Sequence, residues 1–102
     1  MIVVTRDDNK TVVRPDGEAI VAATVPELRS KMRGILAEGV QDLVIDLANV
    51  QMVDSSGIGL LISAHNSLRK AGGRLAVIHV SAELLELFQT MRMHQHFTVS
   101  GN

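Results

Sequence analysis

Within six residues, Asp54-Ser55-Ser56-Gly57-Ile58-Gly59, the chain places an aspartate, two serines and two glycines. Asp54 and Ser55 suit a helix N-cap, because their side-chain oxygens accept the free N–H groups of the first turn. Ser56 then falls inside that turn, near the positive end of the helix dipole. Gly57 and Gly59 leave the surface without bulk, so that another molecule can approach. A serine hydrolase is the obvious enzyme reading, and it fails on geometry. No Gly-x-Ser-x-Gly elbow is present. His65, the next histidine, lies nine positions on in the same expected helix, roughly 13 Å along the axis at 1.5 Å per residue. Nothing in the sequence brings His79, His94 or His96 to Ser56. Gly57-Ile58-Gly59 also lacks the later glycine of a dinucleotide fingerprint and the Gly-Lys-Ser/Thr of a P-loop. A helix N-terminus still favours phosphate, and a phosphate attached to Ser56 is one way to put it there.

Two further patterns carry less. Asp7-Asp8 and Asp42-Leu43-Val44-Ile45-Asp46-Leu47 look like the acidic sites of a response-regulator receiver. A helix should follow the first acidic pair there, whereas Asn9 to Pro15 reads as turn and strand, and no lysine follows Lys70. Asp7 and Asp8 are therefore read as turn residues and Asp46 as a polar group at a strand end. His94-Gln95-His96 offers two histidines with no cysteine and no evident third ligand, so no metal site is expected. His65 is expected to be packed, and Lys31, Arg33, Arg69, Lys70 and Arg74 to be solvated.

The elements that must position Ser56 follow from periodicity. Ile2–Thr5 and Lys10–Arg14 read as an antiparallel hairpin about Asp7-Asp8-Asn9. Pro15-Asp16-Gly17 breaks it, and Glu18–Ala23 holds a little strand and then a loop. Thr24 is the expected cap of a helix with Leu28, Met32, Ile35 and Leu36 inward and Gly39 just past its end. Leu43–Leu47 is apolar at successive positions, which suits a parallel strand buried on both faces. Asn49–Val53 is a connection or short extension. A second helix runs from about Ser55 to Ala71, with Ile58, Leu61, Ile62 and Leu68 inward. Arg74–Val80 is a strand, Ser81 caps a third helix with Leu84, Leu85, Phe88 and Met91 inward, and Phe97–Val99 adds a short strand. Helices alternating with strands after a hairpin give an α/β fold with a mostly parallel sheet. The strand order does not follow from the sequence.

Composition bounds the rest. A chain of 102 residues makes one domain, residues 1–102, with one core. A net charge of −1 offers no basic surplus for nucleic acid or an anionic membrane. With Phe 2, Trp 0 and Tyr 0, the core is aliphatic and no stacking surface exists for single strands. Cys 0 excludes disulfides and thiolate metal sites. Charge enters at Arg6 and Asp7, too early for a signal peptide, and no apolar run approaches the ~20 residues of a membrane span. A cytoplasmic location, no membrane insertion and no cofactor are expected.

Val53-Asp54-Ser55-Ser56-Gly57-Ile58-Gly59 resembles the signature of the STAS family, the sulphate transporter and anti-sigma factor antagonist domains. Gly17-Glu18 leading to Pro26-Glu27-Leu28-Arg29, Val44-Ile45-Asp46-Leu47, Lys70-Ala71-Gly72-Gly73-Arg74-Leu75 and Phe97-Thr98-Val99 fall where that family has similar residues. The resemblance covers nearly the whole chain. It implies a small STAS-type domain, a mixed and mostly parallel sheet of about four to five strands with an N-terminal hairpin and helices packed on it. It also implies a non-catalytic anti-sigma factor antagonist in which the second serine, here Ser56, is phosphorylated by a kinase that is itself the anti-sigma factor. Unmodified, the face formed by Asp54, Ser55, Ser56, Gly57, Ile58 and Gly59 would dock on that kinase and release a sigma factor, with a phosphatase as a further partner. In that picture Asp54 positions the serine, Ser55 caps the helix, and Gly57 and Gly59 admit the partner. Many family members have an acidic residue after the Gly17 position, where this chain has Ala19-Ile20-Val21-Ala22. The alternative implied by the same fold is a structural subunit of a signalling or lipid-transport assembly that is not phosphorylated.

Overall fold

The computed structural model describes residues 2–101. Its first two strands, β1 (Ile2–Asp7) and β2 (Lys10–Pro15), form the expected antiparallel hairpin, closed by the Asp7–Lys10 pair. Asp8 takes φ 51° in the turn, a conformation that a short polar side chain tolerates. The chain then makes a two-residue strand, β3 (Ala19–Ile20), before α1 (Val25–Ala37). Thr24 precedes α1 but does not cap it as expected. Its hydroxyl accepts the Val21 N–H and donates to the Ala19 carbonyl, each at 3.0 Å, and so closes the β3 loop. A hydroxyl offered a nearer backbone partner follows that partner and not the helix. Val25, Leu28, Met32 and Ile35 make the buried stripe of α1, and Leu36 is half-buried. Gly39 follows at φ 85°, where a side chain would be strained.

β4 (Asp42–Asp46) leads through β5 (Met52–Val53) into α2 (Ser55–Lys70), and β6 (Arg74–Val80) follows. α3 (Ala82–Thr90) starts on Ser81, whose Oγ accepts the Leu84 N–H at 3.2 Å, and β7 (Thr98–Gly101) closes the sheet. The main sheet has the order β1-β2-β4-β6-β7, antiparallel only at β1–β2, and β3 and β5 make a separate parallel pair. Each crossover thus steps one strand further in the same direction. Crossovers of one hand that all step the same way put their helices on one side. The core agrees: Val13, Leu43, Ile45, Leu75 and Val77, which share a face by register, pack with the buried residues of all three helices.

Two expectations need correction. All of Leu43–Leu47 is buried, but not between two helical layers. Val44, at 8% exposure, lies outside the core cluster, and its register neighbours Val12 and Ala76 stay half-buried. Flanking strands therefore account for the burial on that side. Met91, expected inward, is 48% exposed, while Met93 is 1% exposed. α3 ends at Thr90, Arg92 turns the chain through φ 58°, and a short 3-10 turn at Met93–Gln95 drives Met93 into the core. No helix of the described residues is long and apolar enough to cross a membrane.

Candidate functional site

β3, β5 and the start of α2 hold the six candidate residues. Asp54, and not Ser55, is the N-cap. Its extended backbone lets Oδ1 accept the Gly57 N–H at 3.1 Å. Oδ2 accepts the Ala22 N–H, also at 3.1 Å, so one carboxylate joins the helix to the loop after β3. The Gly57 N–H holds the Asp54 carboxyl below the usual carboxylate range, helped by the Ala22 and Ser56 N–H groups and opposed by burial. Asp54 is thus an anion whose two oxygens are already occupied.

Ser55 is the first helical residue and is exposed, and Ser56 is the second and half-buried. Because Asp54 does the capping, Ser56 is not needed for it. Among the described residues its hydroxyl makes no hydrogen bond to a histidine or carboxylate. Gly57 is buried. A Cβ there would lie 2.4 Å from the Ile20 carbonyl oxygen and 2.7 Å from Val53 Cγ1, so this glycine admits the protein's own β3 strand. Gly59 is exposed, with nothing within 4 Å of a Cβ, and Ile58 is a core residue. Ser55, Ser56 and Gly59, with part of Asp54, therefore form the outward face of the motif.

The remaining candidates fall into two pairs, His65 with His96 and Asp46 with His79, and neither is bonded to Ser56. His65 is half-buried, its ring centroid 5.7 Å from Phe97 and 6.0 Å from His96. Burial lowers its pKa first, with His96 and Arg69 adding repulsion. His94 and His96 are exposed, and the described residues include no cluster of three or more metal-ligating side chains. Asp46 ends β4 as a polar group, and its Oδ1 lies 2.9 Å both from His79 Nδ1 and from the Ala48 N–H.

Met52 was not among the expected site residues. It stands two positions before the cap and is 60% exposed. Its strand pairs with β3 across some thirty residues of sequence, Ala19 with Met52 and Ile20 with Val53. No strand alternation points to it, since Val50 and Val53 are buried and both Gln51 and Met52 are exposed.

The STAS domain family model matches residues 1–102. The chain belongs to the STAS domain family. As a STAS domain it is 32% identical over 85 residues to the anti-sigma-B factor antagonist of Staphylococcus aureus, covering 83% of this chain and 78% of the relative. Its fold matches an anti-sigma factor antagonist from Mycobacterium paratuberculosis with a TM-score of 0.88 at 24% identity, over 100% of this chain and 86% of that one. It also matches the phosphorylated form of the Bacillus cell fate determinant SpoIIAA, with a TM-score of 0.75 at 19% identity, over 97% and 90% of the two chains. The α/β fold expected from the sequence is the one these structures share.

Proposed function

We propose that this STAS domain is an anti-sigma factor antagonist, a binding module without catalytic activity, switched by phosphorylation of Ser56. Unmodified, it docks on an anti-sigma factor kinase through the outward face of Asp54–Gly59, and a sigma factor is released. The observation that carries the reading is the state of Ser56, a half-exposed first-turn hydroxyl left free because Asp54 caps the helix. The Staphylococcus antagonist is similar over most of its length, and the Bacillus fold neighbour has a phosphorylated form. Phosphorylation adds a charge of about −1.5 to −2, which in a packed interface brings desolvation cost and repulsion. A phosphatase would restore docking, in the cytoplasm where the kinase and sigma factor act. Gly57 and Ile58 support the face from beneath, and Ser55, Ser56 and Gly59 touch the partner.

The test is to incubate the protein with the anti-sigma factor kinase and ATP and map the product by mass spectrometry. One phosphate is expected, on Ser56, with binding to the kinase lost afterwards. Modification on Ser55, or undiminished binding of the modified protein, would sink the reading. The purified protein alone is expected to hydrolyse neither ATP nor esters.

A further inference from the structure

We infer that Met52 anchors the partner, and that the partner presents an aliphatic pocket flanked by basic side chains. This rests on the docking role proposed for the Ser56 face and adds what that face must meet. Met52 is 60% exposed, and among the described residues the other large apolar side chain so placed is Met91, at the far end of α3. Nothing in the fold requires Met52 to be apolar, since its neighbour Val53 supplies the buried side of β5. The strand that carries it runs directly into the motif. The Asp54 carboxylate holds the exposed Ala22–Ala23 loop against the start of α2. The Glu18 carbonyl accepts the N–H groups of Gln51, at 2.7 Å, and Met52, at 3.1 Å, so Glu18 lies alongside. Exposed Met52, two residues before the cap, and exposed Ala22 and Ala23, held to the cap by Asp54, thus lie at the end of the molecule that carries Ser55 and Ser56.

The two stretches of chain that carry these residues hold charge of one sign, and the α1 cations Arg29 and Arg33 lie further along α2 in the groove against Leu60 and Ser63. From Pro15 to Leu28 and from Leu47 to Leu68 there is no lysine or arginine, while Asp16, Glu18, Glu27 and Asp54 all fall in those stretches. Asp16 and Glu27 line one small cavity beside β3, which places them at the same end of the molecule. A second copy would set carboxylates against carboxylates, and an anionic membrane would be repelled. A basic rim on the partner is complementary, and it also speeds encounter. Methionine suits such an anchor because its flexible, polarisable chain adapts to an irregular pocket, and it is enriched at interfaces.

The experiment is calorimetric titration of the full chain with the kinase that modifies Ser56, at low and at high salt. Met52→Ala is expected to weaken binding about tenfold to a hundredfold, as loss of one buried apolar side chain should. Met52→Leu should stay within about threefold of the parent and Met52→Lys should lose more than Met52→Ala. Replacing Asp16 by Asn and Glu18 by Gln together should weaken binding and flatten its salt dependence. Because these side chains are exposed, melting curves should not move, which separates binding from folding. If Met52→Ala binds like a parent that is bound and phosphorylated on Ser56, the anchor is overturned and the function stands. Affinity that does not fall with salt overturns the basic rim. A parent that is neither bound nor phosphorylated overturns the function and the anchor with it.

Discussion

At Gly57 and Gly59 two identical residues, two positions apart in one helix, have opposite reasons to be glycine. Gly57 lies where a Cβ would meet the Ile20 carbonyl and Val53, and Gly59 faces open space. Gly57→Ala should therefore force α2 away from β3 and cost about 1–3 kcal/mol, in the manner of an overpacked core position. Gly59→Ala should stabilise the domain by roughly 0.5–1 kcal/mol through helix propensity. Chemical denaturation of both variants checks the pair, and a Gly59→Ala protein that is more stable yet binds the kinase less well would mark Gly59 as a contact. Asp54 is the other residue with two local duties. Asp54→Ala should lower Tm by roughly 4–8 °C, the scale of a lost cap in a domain of this size. Its folded carboxyl titrates below its unfolded value. The stability it adds is therefore present above about pH 4 and lost as pH falls through the lower, folded value. The parent should therefore be more stable than Asp54→Asn near neutrality, and the acid-unfolding curves of the two should converge as pH falls through that window.

On the scale of elements, α2 joins two chemistries. Its N-terminus carries the motif, and its middle carries His65 against Phe97 and His96. Burial and the neighbouring His96 and Arg69 make His65 resist protonation in the folded state. Above the unfolded pKa of about 6.5 both states are neutral and nothing is lost. As pH falls from there through the lower folded value, the unfolded chain takes up the proton first and stability drops. Urea unfolding at pH 7.5, 6.0 and 5.0 should show this fall, reduced in His65→Gln. An equal fall in both proteins would place the acid sensitivity elsewhere. The strain at His79, φ 55°, belongs to a different element, the register shift between the Val77–Val99 and Val80–Gly101 pairs of β6 and β7, and its pairing with Asp46 ties the ends of β4 and β6 together.

For the whole molecule, the switch separates from the fold. The helix dipole favours negative charge at the second helical position by about 0.3–1 kcal/mol, so Ser56→Asp should melt close to the parent by circular dichroism. In an interface, a unit charge 4 Å from a like charge costs about 4 kcal/mol at an effective dielectric of 20, nearly a thousandfold in affinity. The interface effect should dominate. Calorimetry should show Ser56→Ala binding like the parent but insensitive to kinase and ATP, and Ser56→Asp binding far more weakly. If Ser56→Asp unfolds the domain, phosphorylation acts on folding. If enzymatically phosphorylated protein binds as tightly as the parent, there is no switch at this serine.

What the sequence determined by itself was local. The hairpin, the three helices and their apolar stripes are set by side-chain spacing and by residues such as Asn9, Gly39 and Ser81, whose preferences act within a few positions. The motif at Asp54–Gly59 was legible for the same reason, as a helix start with a spare serine. Tertiary structure decided what depends on distant partners. Asp54 rather than Ser55 caps α2 because its second oxygen finds Ala22, thirty-two residues away. Gly57 is turned inward because β3 pairs with β5, and two strands of two residues each carry too little pattern to announce themselves. Met93 replaces Met91 in the core because one left-handed residue, Arg92, reverses the chain. Val44 faces away from the helices because every crossover steps in one direction, a property of the strand order and of no single stretch of chain. Met52 reached the surface beside Ser56 by the same long-range pairing.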